Sequence, residues 1–148
     1  MHHEAELAIV VGTVSRRVAA EDASRHIIGY TAANDVSARD LQKKDGQWTR
    51  AKGFDTFCPL GPAIETEVDP IGLRITCSVN DELRQDASTD DMVFGVAEIF
   101  AFVTRVMTLL PGDVILTGTP AGVGPIRPGD RGEGEIERIG TLINPVAA

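Results

Sequence analysis

Two glutamates one residue apart, Glu4 and Glu6, stand directly before the apolar run Leu7-Ala8-Ile9-Val10-Val11. On a strand, side chains two apart share a face, so two carboxylates must lie side by side at the edge of a core. Like charges that close raise one pKa unless a cation neutralises them. A hard divalent metal ion is the simplest remedy: Mg2+ takes oxygen ligands in near-octahedral geometry, and Ca2+ accepts the same donors with looser geometry. Taken alone, a Glu-x-Glu pair more often faces solvent on an edge strand. His2 would share its face but equally suits a frayed terminus, and it is not counted as a ligand.

Three further segments carry polar groups that could serve such a centre. In Asn34-Asp35-Val36-Ser37-Ala38-Arg39-Asp40-Leu41-Gln42 an apolar stretch gives way to charge. An Asp at a strand end is usually a turn residue, because it bonds its own backbone readily. Trp48-Thr49-Arg50-Ala51-Lys52-Gly53-Phe54-Asp55 holds Lys52. The glycines of Leu116-Thr117-Gly118-Thr119-Pro120-Ala121-Gly122-Val123-Gly124 would let backbone N–H groups approach an anion, although a Gly/Pro loop is commonly only a turn.

The elements that must position these residues follow from periodicity. Residues 7–11 read as a buried strand that begins near His3 and ends at Gly12, which puts both glutamates on a strand. Residues 19–28 have apolar positions at helical spacing and predict a short helix closed by Gly29, followed by a second strand at 30–36. Residues 39–62 lose any period and read as a long ordered loop, a common place for function. Leu73, Ile75, Cys77 and Val79 alternate with polar residues, and Asn80-Asp81 then marks a hairpin turn into residues 82–85. Residues 93–110 predict the main buried helix, with Ser88, Thr89 and Asp90 as caps and Pro111-Gly112 as its stop. A short strand at 114–116, a Gly/Pro loop at 117–130 and strands within 134–143 complete a strand-rich, mixed α/β (α+β) domain.

Composition bounds the function. A chain of 148 residues, 43% hydrophobic and without repeats or low-complexity linkers, reads as a single domain. A formal net charge of -8 argues against nucleic acid or an anionic membrane as partner. No apolar run is long enough to span a bilayer, and no export signal opens the chain. The two cysteines, Cys58 and Cys77, lack a C-x-x-C spacing and read as buried free thiols of a reducing, cytoplasmic setting.

In this order, the four segments resemble the fumarylacetoacetate hydrolase family, matching its H-H-E-x-E-L, N-D-x-S-A-R-D-x-Q, K-x-F and G-T-P-x-G-V-G patterns over essentially the whole chain. The resemblance implies a mixed β-sheet roll with a few helices packed outside. It implies that Glu4, Glu6 and Asp35 hold Mg2+ (or Mn2+, with Ca2+ possible), and that Arg39, Gln42, Lys52 and Thr119 hold or polarise substrate oxygens, with Lys52 also catalytic. Those residue types suit such roles, since Arg39 offers a forked donor, Lys52 a compact charge and Thr119 a hydroxyl. The substrate implied is a small 2-oxo acid that chelates the ion, which acts as a Lewis acid. The family's reactions include hydrolysis of a carbon–carbon bond in acylpyruvates and fumarylacetoacetate, decarboxylation of oxaloacetate-type acids, isomerisation of ring-cleavage diacids and dehydration of sugar acids.

The first expectation is therefore a metal-dependent C–C hydrolase of an acylpyruvate-like substrate in aromatic catabolism. The alternatives are an isomerase and decarboxylase of a 2-hydroxydienedioate, or a catalytically silent fragment or half of a two-chain enzyme. The expectation also includes a homodimer, because a nearly all-apolar helix needs cover. Against the family pattern, the chain is expected to lack upstream strands and the lid whose His-x-x-Glu pair serves the hydrolases as general base. His26 has no Glu three residues later and reads as surface. Asp81 stands where the family's turn commonly has Gly.

Overall fold

The computed structural model describes residues 1–147. Two four-stranded antiparallel sheets build the molecule. The first is ordered β4 (Leu60–Glu65), β3 (Ile27–Asn34), β2 (Ala5–Val11), β7 (Val114–Leu116). The second is ordered β10 (Gly140–Pro145), β9 (Arg131–Ile136), β5 (Arg74–Val79), β6 (Glu82–Ser88). A small ladder pairs β1 (His2–His3) with β8 (Gly124–Pro125). Three short helices lie outside the sheets: α1 (Arg39–Asp45), α2 (Thr49–Lys52) and α3 (Val96–Val106). The fold is thus the strand-rich one expected, and its described ladders are antiparallel.

The core explains why β2 sits at the centre. All seven of its residues are buried, as a strand covered on both faces requires. Its odd positions, Ala5, Leu7, Ile9 and Val11, join Ile75 and Cys77 of β5, Ile136 of β9 and Phe100 of α3 in one apolar cluster. Strand alternation then turns Glu4 and Glu6 to the opposite face. Strand β5 shows the same alternation, with Ile75, Cys77 and Val79 buried between more exposed neighbours. The β5–β6 turn uses Asn80 and Asp81 at φ +52° and +67°. Gly fits such angles best and Asn or Asp tolerates them, so the Asp at 81 is readily accommodated.

Several expectations are corrected. The helix predicted at 19–28 is a six-residue 3-10 turn, Ala20–Arg25, and Ile27 and Ile28 already belong to β3, where Ile27 pairs with Val11 at the end of β2. The predicted loop at 39–62 contains α1 and α2. Helix α1 buries no residue, so it lacks the apolar stripe by which sequence reveals a helix. Ser88 caps a separate 3-10 turn, Thr89–Asp91, and not α3. Helix α3 spans 96–106 instead of 93–110. Glu98 accepts from the Gly95 N–H at its start (2.9 Å), and Leu109 is drawn out to exchange two 2.9 Å backbone hydrogen bonds with Ser15.

Helix α3 is also not buried all round: Phe100, Ala101 and Thr104 face the core, whereas Phe102 and Val106 are 65% and 64% exposed. His26 is half-buried beside Phe100, its Nδ1 2.9 Å from the Ser15 hydroxyl, so it is not a surface residue. Cys77 is buried, but Cys58 is only half-buried; both thiols are free. Among the described residues, no helix is long and apolar enough to cross a membrane.

The two phenylalanines of α3 separate core from surface. Phe100→Ala should cost about 3–5 kcal/mol, the range for emptying a buried aromatic site. Phe102→Ala should stay within about 0.5 kcal/mol at protein concentrations where the chain is monomeric. Urea denaturation monitored by circular dichroism checks both, and equal losses would contradict the assigned helix orientation.

Candidate metal centre

Backbone pairing brings the third carboxylate to the first two. In the β2–β3 ladder Ala5 lies opposite Asn34, which leaves Asp35 beside Glu4 at the end of the register. The Asp35 N–H donates to the Glu4 carbonyl (2.9 Å), and the Glu4 N–H donates to Asn34 Oδ1 (2.9 Å). His2 and Ser37 exchange backbone hydrogen bonds of 2.9 and 3.1 Å, closing the zipper on the other side. Helices α1 and α2 then present cations to this edge. The Ala38 N–H donates to the Ala51 carbonyl (2.9 Å), which ties the start of α1 to the residue before Lys52.

Glu4, Glu6 and Asp35 are 7%, 3% and 9% exposed, and one oxygen from each lies within 4.8 Å of the others. Lys52 Nζ donates to Glu4 Oε2 (3.0 Å) and to Asp35 Oδ2, and Arg39 donates to Glu4 Oε1. Gln42 Oε1 in turn accepts from Arg39 at 3.0 Å. Among the described residues no side-chain cation pairs with Glu6; its Oε2 accepts from the Gly118 N–H at 2.6 Å. Burial pushes the Glu6 carboxyl up from 4.5 to about 7; the Gly118 N–H opposes this, and the Asp35 and Glu4 charges add to it. Burial pulls the Lys52 ammonium down, but its hydrogen bonds to Asp35 and Glu4 outweigh that and raise it above its ordinary value.

Two cations therefore face three buried carboxylates, and the cluster balances only by protonating Glu6 or by gaining positive charge. Oxygens held by one ion at about 2.1 Å lie at most about 4.2 Å apart. The three carboxylates are close to that spacing, so these residues fit a hard divalent ion. Lys52 Nζ, seated between two of them, supplies the local positive charge that an ion would bring.

The sequence of the described chain decides its relationship: residues 1–147 match the family description "Fumarylacetoacetate (FAA) hydrolase C-terminal". The chain belongs to the fumarylacetoacetate hydrolase family. A solved 2-hydroxyhepta-2,4-diene-1,7-dioate isomerase from Mycobacterium marinum is 58% identical, with a TM-score of 0.98 over 99% of this chain and 58% of its own. A 5-carboxymethyl-2-hydroxymuconate delta-isomerase from Mycobacterium smegmatis is 55% identical with the same TM-score and coverages. A mitochondrial oxaloacetate tautomerase of Bos taurus is 48% identical over 155 residues, which is 97% of this chain and 49% of the relative. The chain spans about half to two-thirds of the length of the curated relatives it matches.

As a member of this hydrolase family, the chain gathers most of its expected site residues at one edge: Glu4, Glu6, Asp35, Arg39, Gln42 and Lys52. Thr119 is placed differently. Its hydroxyl donates to the Ala5 carbonyl (2.8 Å) and accepts from Gln85 (2.8 Å), so its polar atom is engaged with the scaffold. His2 lies outside the carboxylate cluster, and its buried Nδ1 has no hydrogen-bond partner among the described residues. The glycine loop does bring a backbone N–H to an anion, as its sequence suggests, with Gly118 as the donor and Glu6 as the acceptor; Gln85 carries no such signal in the sequence. The Cys58 thiol is raised by burial and then by the nearby Asp35 and Glu6 charges.

Metal binding should follow the Glu6 proton. The folded chain keeps that proton up to about pH 7, whereas the unfolded chain loses it near 4.5, so this group costs the metal-free protein stability as pH rises between the two values. A bound ion needs the carboxylate, so Mn2+ affinity should fall roughly tenfold per pH unit below 7 and level off above it. Glu6→Ala should weaken Mn2+ binding by about 100-fold or more, and Glu65→Ala, on β4, by less than about twofold. Isothermal titration calorimetry reads all three, and equal effects of the two substitutions would contradict the assigned ligands.

Proposed function

We propose that this chain is the metal-binding part of an enzyme that moves a proton on the enol form of a small 2-oxo acid, in the isomerase or tautomerase class. The ion is Mg2+ or Mn2+, with Ca2+ the looser fit, held by Glu4, Glu6 and Asp35. One observation carries the reading: three buried carboxylates converge at one edge, and the Lys52 ammonium bridges two of them, Glu4 and Asp35. When bound, the ion would supply Lewis-acid polarisation of a chelating 2-oxo acid.

The chain's own residues fill the remaining parts. With the carboxylates neutralised by an ion, Lys52 and Arg39 would be available to a substrate anion. Lys52 holds a proton at Nζ and is the candidate catalytic acid. Arg39, held by Gln42, offers a forked donor to a substrate carboxylate. Thr119, expected as a substrate contact, is assigned instead to positioning the loop it belongs to.

Hydrolysis of an acylpyruvate, the first expectation from sequence, needs a base to activate water. The side chains at this edge that would turn to a substrate anion, Lys52 and Arg39, are cationic donors. A donor set suits delivery of a proton to an enol, as do the names of the isomerase and tautomerase relatives. The homodimer belongs to the same proposal, supported by the exposed apolar side chains Val93, Phe94, Phe102, Val106 and Leu110; a monomer in sedimentation velocity would remove it.

The test supplies oxaloacetate enol and acetylpyruvate separately with Mn2+ and follows loss of the enol absorbance above the metal-only rate. Faster conversion of the oxaloacetate enol is expected, with no acetate released from acetylpyruvate. Lys52→Met should lower that rate by about 100-fold or more while Mn2+ still binds. Acetate release without an effect on oxaloacetate would establish the hydrolase instead. Neither activity, together with no Mn2+ binding, would leave the silent-fragment reading.

A further inference from the structure

The face of β2 opposite the carboxylates carries a second polar network, built around Gln85 of β6. Gln85 is 1% exposed, and its amide is fully engaged. Its Oε1 accepts from the Ala5 N–H at 3.1 Å and lies 3.2 Å from His3 Nδ1. Its Nε2 donates to Thr119 Oγ1 (2.8 Å) and to the Pro120 carbonyl (2.9 Å). The assignment is self-consistent: Thr119 gives its hydroxyl proton to the Ala5 carbonyl and so must accept from Gln85. Because a carbonyl oxygen only accepts, His3 carries its proton on Nδ1, which is also 3.4 Å from Cys77 Sγ.

These bonds join two segments that meet at the metal centre. Ala5 lies between Glu4 and Glu6, and Thr119 follows Gly118, whose N–H holds Glu6 Oε2. A second, independent feature seats the same loop on β6. Gly122, at φ +102°, lies so close that a Cβ there would come within 2.0 Å of the Arg84 carbonyl and 3.2 Å of Gln85 Cγ. The Gly118–Gly122 stretch is therefore clamped at both ends, by the Gln85 amide near one and by backbone contact at the other.

We propose that Gln85 is a positioning residue for the metal centre, fixing the Gly118 N–H against Glu6 by holding the 118–122 loop to Ala5, between Glu4 and Glu6. The proposal rests on the reading of Glu4, Glu6 and Asp35 as metal ligands. It assigns to Gln85 no contact with substrate or ion. Outer groups that orient ligands typically change metal affinity by about 10- to 100-fold when removed, although they never touch the ion.

The test measures Mn2+ affinity and thermal stability together in the full chain. Gln85→Met keeps the length of the side chain and removes its hydrogen bonds. Gln85→Glu, measured above pH 8, keeps an acceptor for Ala5 but cannot donate to Thr119 or Pro120. Gly122→Ala lifts the loop by backbone contact alone. Leu73→Ala, a core change outside the 118–122 loop, serves as the control for loss of Tm without change to the loop.

Each of the three site variants should weaken Mn2+ binding by about tenfold or more, whereas Leu73→Ala should change it by less than about twofold. Either Gln85 variant that folds suffices for the comparison. If Gln85 variants lose Tm as the control does and keep wild-type Mn2+ affinity, Gln85 is only a core residue and the proposal is overturned while the metal centre stands. If the wild-type chain binds no Mn2+, the metal reading itself fails and takes this proposal with it.

Discussion

Burying three carboxylates together, Glu4 and Glu6 at the start of β2 and Asp35 just past the end of β3, against the hydrophobic core on the other face of β2, is the constraint from which the rest of this structure follows. Taking a carboxylate out of water is costly unless charge or hydrogen bonds replace what water supplied. Glu4 and Asp35 receive Lys52 and Arg39, carried on two short helices that have little core of their own. Glu6 receives a backbone N–H from a glycine loop and otherwise keeps its proton up to about pH 7. The centre is thus assembled one positive charge short, which is the condition for holding a cation tightly.

That shortage links the fold to the chemistry. While the ion pairs stand, Lys52 and Arg39 are occupied as counter-charges to the carboxylates. Adding a divalent ion would transfer that duty and leave two donors facing whatever chelates it. The same residues that make the metal-free centre tolerable would become substrate-facing groups, so binding of metal and of an anionic substrate should reinforce each other.

Sequence made part of this legible for a local reason. Glu4 and Glu6 are readable because strand alternation is local, and the apolar run after them announces the strand. Asp35 is recognisable as a strand end, but its approach to Glu4 depends on the Ala5–Asn34 register, a long-range pairing that no local pattern encodes. Arg39, Gln42 and Lys52 lie on helices without an apolar stripe, so periodicity read their segment as loop; only the family resemblance singled them out. Gln85 was invisible for a further reason. A bulge between Cys77 and Ser78 shifts the β5–β6 register, so Gln85 is buried while Leu83 stays half in solvent, against the alternation a hairpin suggests. The end of α3 is likewise not legible locally, because its extended tail pairs with the distant Ser15.

Anomalous diffraction from crystals of this chain soaked in Mn2+ would probe the three-carboxylate centre without any intervening assumption about substrate. The expected result is one strong peak with an oxygen of each of Glu4, Glu6 and Asp35 at about 2.1 Å, and Lys52 Nζ withdrawn from its bridge between Glu4 and Asp35. A crystal with no peak there, with Lys52 still bridging those two carboxylates at saturating Mn2+, would contradict a metal role for these residues.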